Sequence, residues 1–213
     1  MTDNEHVFKI ITLGDSRVGK TSILKRFAHG IYEDNNLCTI GIGFVYKVIS
    51  IDGKKIGLKI IDTAGQEKYR ALAKSYYKNA QGALFVFSFD DKESFDHIQE
   101  WLNAFNDNGI NDIPMFLVGN KCDVEQKVID DNLIEELQKR TGLNNYKQTS
   151  AKENINIEEL FNELSEKIYE QNKIDIEKKQ IQKLKKLEDT KKSEEERNKK
   201  NRIKNCCTGK NSY

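Results

Sequence analysis

An α/β fold, with a mostly parallel six-stranded sheet and helices on both faces, is predicted by three observations. Over the first 172 residues, short apolar runs alternate with segments of helical spacing. Only one pair of strand-like runs is joined by a two-residue turn, Asp52-Gly53. The other runs are separated by connections long enough for the crossover that parallel strands require.

Taken in order, Val7 to Leu13 is a β-branched apolar run that ends at Gly14. Thr21 to Ala28 carries Ile23, Leu24, Phe27 and Ala28 at helical spacing. Phe44 to Ile51 and Ile56 to Ile61 alternate as strands around the hairpin turn. Gly82 to Phe89 is nearly unbroken in its apolar character, as a strand buried on both faces should be. Lys92 to Phe105 predicts one helix with Phe95, Ile98, Trp101, Leu102 and Phe105 on a single stripe. Pro114 to Gly119 is a second buried strand, and Asp130 to Lys139 a helix with Gly142 as its C-cap. Asn145 to Thr149 is a short sixth strand. Ile155 to Tyr169 is an amphipathic helix through Ile157, Leu160, Phe161, Leu164 and Ile168. In such folds ligands bind at the carboxyl ends of the strands.

Composition sets the outer bounds. The chain has 213 residues, enough for one domain with about 40 to spare. Its longest apolar stretch, Ala83 to Phe87, is far short of the ~20 residues that span a bilayer. Met1 to Glu5 is polar and acidic, unlike a secretory signal, and no glycine follows Met1 for myristoylation. Four cysteines do not make a disulfide scaffold, and Cys38 and Cys122 read as reduced thiols. A soluble cytoplasmic protein is expected.

The net charge of +1 conceals an asymmetry. Residues 1–172 carry 21 Lys and Arg against 27 Asp and Glu, and residues 173–213 carry 14 against 7. A basic tail with four lysine pairs cannot build a core, so a boundary is expected near residue 172. The lysines are not interleaved with aromatic residues, which argues against nucleic-acid binding.

The chemistry lies in four loops. Gly14-Asp15-Ser16-Arg17-Val18-Gly19-Lys20-Thr21 fits G-x-x-x-x-G-K-[ST] between a strand and a helix. Its glycines let the backbone curl around phosphates, Lys20 adds charge at the β/γ-phosphates, and Thr21 offers a hydroxyl to Mg²⁺. A plain strand-to-helix turn is the alternative. Asn120-Lys121-Cys122-Asp123 follows a strand, and the Asp123 carboxylate can accept from guanine N1 and N2 together, a donor pair adenine lacks. Lys121 can lay its stem along the base. Thr149-Ser150-Ala151-Lys152 follows the last strand, where the Ala151 N–H can reach guanine O6. Asp62-Thr63-Ala64-Gly65-Gln66 ends another strand. Asp62 can hold a Mg²⁺-bound water, Gly65 can bring its N–H to the γ-phosphate, and Gln66 can orient a water.

With these motifs in this order, the chain resembles small GTPases of the Ras superfamily, Rab branch, over about residues 7–172. Thr39 to Phe44, Tyr69-Arg70, Ser75 to Ala80 and the pair Cys206-Cys207 carry the Rab-like character. The resemblance implies a P-loop GTPase domain, a GTP/GDP switch in vesicle trafficking that hydrolyses GTP slowly without help. It implies nucleotide contacts from Asp15, Ser16, Arg17, Val18, Gly19, Lys20, Thr21, Ser22, Tyr32, Thr39, Gly65, Asn120, Lys121, Asp123, Ser150, Ala151 and Lys152. Mg²⁺ would be held by Thr21, Thr39 and Asp62, and catalysis would use Gln66, Lys20 and Gly65. Residues 31–43 and 64–80 would be the switches. An exchange factor, an activating protein, a dissociation inhibitor and effectors would meet a monomer through residues 31–44 and 61–80. Phe44, Ile61 and Tyr76 would form the apolar triad that effectors read.

Three residues depart from the family pattern: Arg17 for a glycine, Gly43 for an acidic residue and Ile61 for a tryptophan. The tail resembles the Rab hypervariable tether. Five of the eight residues from Arg197 to Lys204 are basic, and Cys206 and Cys207 would take geranylgeranyl groups that anchor the chain to the cytosolic face of a membrane. Six residues follow the pair, unlike most Rab tails. A Ras-like signalling GTPase, a GTP-locked binding module without lipid, and an ATP-dependent P-loop kinase are the competing readings.

Overall fold

The computed structural model describes residues 6–34, 39, 42–63, 77–107, 112–174 and 176. Two compact units are present, residues 1–170 and residues 171–213. In the second, residues 171–174 and 176 are helical; the lysine pairs from Lys178 onward and Cys206-Cys207 lie outside the described residues.

The first unit is built on six strands: β1 (His6–Leu13), β2 (Ile42–Ile51), β3 (Lys54–Thr63), β4 (Gly82–Ser88), β5 (Met115–Asn120) and β6 (Asn145–Gln148). Their spatial order is β2-β3-β1-β4-β5-β6. Every pairing is parallel except β2 with β3. That hairpin closes through Asp52 and Gly53, both at positive φ (50° and 72°), the backbone that a tight two-residue turn needs. All seven residues of β4 are buried, which fits its central place between β1 and β5.

Helices α1 (Lys20–His29), α2 (Lys92–Asp96), α3 (Ile98–Asn106) and α4 (Asp131–Thr141) are joined by α5, residues 157–170. One face of the sheet presents Ile11, Leu13, Ala83, Phe85 and Phe87 to the stripe Phe95, Ile98, Trp101, Leu102 and Phe105. On the opposite face α1 and α5 meet ring on ring, Phe27 against Phe161 at 4.0 Å between centroids. Asp91 and Asp130 cap the N-termini of α2 and α4 through their carboxylates, each cap contributing about 1 kcal/mol. Gly142 ends α4 in the left-handed conformation, as its spacing predicts.

The single helix expected over Lys92–Phe105 is two, separated at His97. The apolar stripe continues through the break, because His97 keeps right-handed φ and ψ (−73°, −9°). Its ring reaches away to Asp15. The apolar triad is also revised: Phe44 is exposed at 64%, but Ile61 is buried at 2% in the core of β3. Tyr76 lies outside the described residues.

Candidate nucleotide site

Residues 14–19 connect β1 to α1 and lie hard against the ends of two neighbouring strands. A Cβ on Gly14 would sit 2.1 Å from the Val86 carbonyl oxygen, and one on Gly19 would sit 2.2 Å from Asn120 Nδ2. Both glycines also have positive φ, 139° and 93°. The loop therefore needs glycine at both positions, for backbone shape and for space alike. Gly19 is the N-cap of α1 and has no side chain to satisfy the first helical amides, which leaves them suited to an anion. Lys20, 5% exposed, folds its ammonium onto the loop, donating to the carbonyls of Gly14 (2.9 Å) and Asp15 (2.7 Å).

The three proposed metal ligands come together at one corner. Thr21 Oγ1 lies 2.6 Å from Thr39 Oγ1 and donates to Asp62 Oδ2 at 2.7 Å. Asp62 Oδ1 is buried with no hydrogen-bond partner. Burial raises the Asp62 carboxyl above its ordinary range, against the hydrogen bond from Thr21 and the charges of Lys20 and Lys25. Two hydroxyl oxygens beside an unpartnered carboxylate oxygen are a hard-oxygen donor set that fits Mg²⁺. Among the described residues no cluster of three or more His, Cys, Asp or Glu could hold a metal, so a cation here would need phosphate and water to complete its shell, as Mg²⁺ commonly does.

At the other end, Asn120 is 2% exposed and ties the motifs to each other. Its amide donates to the Val18 carbonyl (2.8 Å), and its oxygen accepts from Thr149 Oγ1 (3.2 Å). Lys121, at φ 58°, points its ammonium at Asp90 (3.1 Å). Burial pushes the Asp90 carboxyl up, but hydrogen bonds from Ser88 and Lys121 outweigh it and leave it below its ordinary range. Asp123 Oδ1 is buried and without a partner. A buried carboxylate oxygen left unpaired is costly unless a ligand supplies the donor.

A cavity of about 420 Å³ joins the two ends. Ser16, Arg17, Gly19, Lys20, Thr21, Ser22, Tyr32 and Thr39 line one part, and Asn120, Lys121, Asp123, Ala151 and Lys152 the other. Arg17 is exposed and holds a left-handed φ of 66°. Asp15, Val18 and Ser150 do not line the cavity. Val18 is fully buried, and Ser150 shapes its own loop by exchanging backbone hydrogen bonds with Ile155 and accepting from the Glu153 N–H. Gly65 and Gln66 lie outside the described residues.

Asp15 turns away from the cavity. Its carboxylate accepts from Trp101 Nε1 (2.7 Å) and meets His97 Nδ1 (2.6 Å), which pins the loop to α3. That contact raises the His97 pKa from its ordinary 6.5. The motif reading missed His97 and Trp101, because Trp101 sits on a helical stripe that reads as core. It also missed Arg26 on α1, whose guanidinium holds the carbonyls of Ala151 and Lys152. A charged residue among apolar helix positions was the only available signal.

A model of the Ras family matches residues 9–170. The chain is similar to the maize GTP-binding protein YPTM1, 39% identical over 158 residues, 74% of this chain and 76% of the relative. It is similar to the Ras-related protein Rab-13 of Mesocricetus auratus, 37% identical over 166 residues, 77% of this chain and 81% of the relative. It is also similar to the Ras-related protein Rab-1D of Dictyostelium discoideum, 39% identical over 160 residues, with coverages of 75% and 78%.

Proposed function

The chain belongs to the Ras family of small GTPases, in its Rab branch, and from that premise we propose that the cavity holds GDP or GTP with its base at Asp123 and its phosphates over residues 14–21. The observation that carries this reading is the buried, unpartnered Asp123 oxygen on the wall of a cavity whose far end is the phosphate loop. Guanine N1–H and N2–H satisfy that carboxylate, and adenine leaves it unpaired. The Ala151 N–H recognises O6. Asn120 acts from behind, holding the base loop to Val18.

Lys20, the loop amides and the N-terminus of α1 stabilise negative charge on the β/γ-phosphates. Thr21, Thr39 and Asp62 hold Mg²⁺, which when bound neutralises phosphate charge during transfer. Gln66 orients the attacking water and Gly65 gives its N–H to the γ-phosphate. Thr39 links this corner to the segment 31–43, so loss of the γ-phosphate releases that segment and the one at 64–80 together. Regulators and effectors read these two switches. In the tail, residues 173–205 act as a tether, and lipid on Cys206 and Cys207 with the neighbouring basic residues anchors the switch at a membrane. Among the described residues no helix is long and apolar enough to cross one.

The test is competition for fluorescent GDP. GDP and GTP displace it and ATP does not. Asp123→Asn lowers guanine affinity and admits xanthine nucleotides, whose C2 carries a carbonyl acceptor in place of the amino group. ATP competing as well as GDP would overturn the base assignment.

A further inference from the structure

Arg26 occupies a position that the reaction described above does not use. It lies on α1, half-buried, with all three guanidinium nitrogens engaged. Nε donates to the Ala151 carbonyl at 2.8 Å, Nη2 to the Lys152 carbonyl at 3.0 Å, and Nη1 to the Gly30 carbonyl at 2.7 Å. Its carbon centre also lies 5.8 Å from the centroid of the Tyr32 ring. One planar cation therefore touches the base loop, the C-cap of α1 and the first residues of switch one.

We propose that Arg26 is a positioning residue for guanine O6: it holds the two peptides that directly follow the Ala151 N–H, and it couples that loop to the Tyr32 segment. The inference rests on the base assignment above. Ala151 and Lys152 follow a four-residue edge strand, β6; backbone hydrogen bonds with Ile155 hold Ser150 on one side of Ala151, and Arg26 holds the loop on the other. Ala151 itself is 3% exposed and has no side chain that can make a hydrogen bond. Two donors from one rigid fork reach the carbonyls of Ala151 and Lys152, and they constrain two successive peptides in a way that a single ammonium cannot. With the carbonyl of Ala151 held toward α1, the loop is ordered before the base arrives, and the entropy of ordering it does not fall on binding. The C-terminal carbonyl at Gly30 and the Tyr32 ring give the same guanidinium a hold on the start of switch one. Release of Tyr32 and release of the base loop are thereby linked through one side chain.

The experiment measures dissociation of GDP and of 6-thio-GDP from the full-length chain, with Arg26→Ala, Arg26→Lys and Asp123→Asn beside the unsubstituted protein. The thio analogue keeps the N1–H and N2–H pair and weakens only the acceptor at position 6. Arg26→Ala is expected to release GDP about tenfold faster, the equivalent of losing one charge-assisted hydrogen bond, and to lose most of the preference for GDP over its thio analogue. Arg26→Lys falls between, since it keeps the charge and not the fork. Thermal melting of each variant without nucleotide shows whether it is folded. A folded Arg26→Ala that releases GDP at the unsubstituted rate, or that speeds both nucleotides equally, overturns the proposal. Asp123→Asn separates the two readings: if it leaves GDP affinity unchanged, the base assignment itself fails.

Discussion

At the scale of single residues, the site is under-satisfied by the protein's own atoms. Asp62 and Asp123 each keep a buried carboxylate oxygen without a partner, which stabilises a bound state at the expense of the empty one. Asp62→Asn should therefore act in opposite directions on two measurements. Thr21 can still donate to the amide oxygen, and the buried charge is gone, so the melting temperature of nucleotide-free protein rises. The same change removes the charged ligand of the cation, so EDTA, which speeds GDP release from the unsubstituted chain, has little further effect on the variant. Gly19 gives a second prediction. With φ at 93° and a Cβ 2.2 Å from Asn120 Nδ2, Gly19→Ala forces both backbone strain and displacement of Asn120 from Val18. A loss of about 1–3 kcal/mol in urea unfolding is expected, along with loss of co-purifying nucleotide.

Among the elements, α3 and the phosphate loop form one unit through Asp15. His97, at the start of α3, meets Asp15 across the loop, and Glu93 and Glu100 on its own helical segments also face it. The hydrogen bond to the Asp15 carboxylate is the leading cause of its raised pKa, and burial opposes it. A group whose pKa rises on folding contributes its full stability below its unfolded value, here near 6.5. That contribution disappears as pH climbs through the higher folded value. From pH 6 to pH 8.5 the unsubstituted chain should lose more stability than His97→Gln, read as the shift in urea midpoint; equal shifts would exclude the pair as a contributor. The elements themselves were readable from the sequence because strand and helix periods differ and turn residues separate them, as at Asp52-Gly53 and Gly142. The break at His97 was not, since the apolar stripe from Phe95 to Phe105 runs through it unchanged. The loops that touch ligand were legible as motifs, whereas the residues behind them, Trp101 and Arg26, were not. Their partners are 86 and 125 residues away, and local periodicity says nothing about such separations. Ile61 was misjudged for a related reason: a strand residue's face is known from alternation, but what covers that face depends on elements elsewhere in the chain.

For the whole molecule the relevant quantity is the separation of charge along the chain. The body carries net −6 (residues 1–172) and the tail net +7 (residues 173–213), so the basic excess of the chain is concentrated in the tail. Each basic residue near an anionic leaflet contributes about 1 kcal/mol, and the attraction weakens within a Debye length of about 8 Å at physiological salt. Charge alone would give a salt-sensitive, reversible association. One lipid chain would also bind only marginally, so stable residence needs two chains, or one chain beside the basic run. Cys206 and Cys207 stand one residue after that run. Intact mass of the full-length chain from eukaryotic cells should show two isoprenoid additions, both absent from the Cys206→Ser, Cys207→Ser double variant. The unsubstituted protein should stay with membranes through a high-salt wash, and the double variant should leave in that wash. If the unsubstituted chain carries no lipid and also leaves in high salt, the tail holds the membrane by charge alone, and the GTPase switch works from a freely exchanging pool.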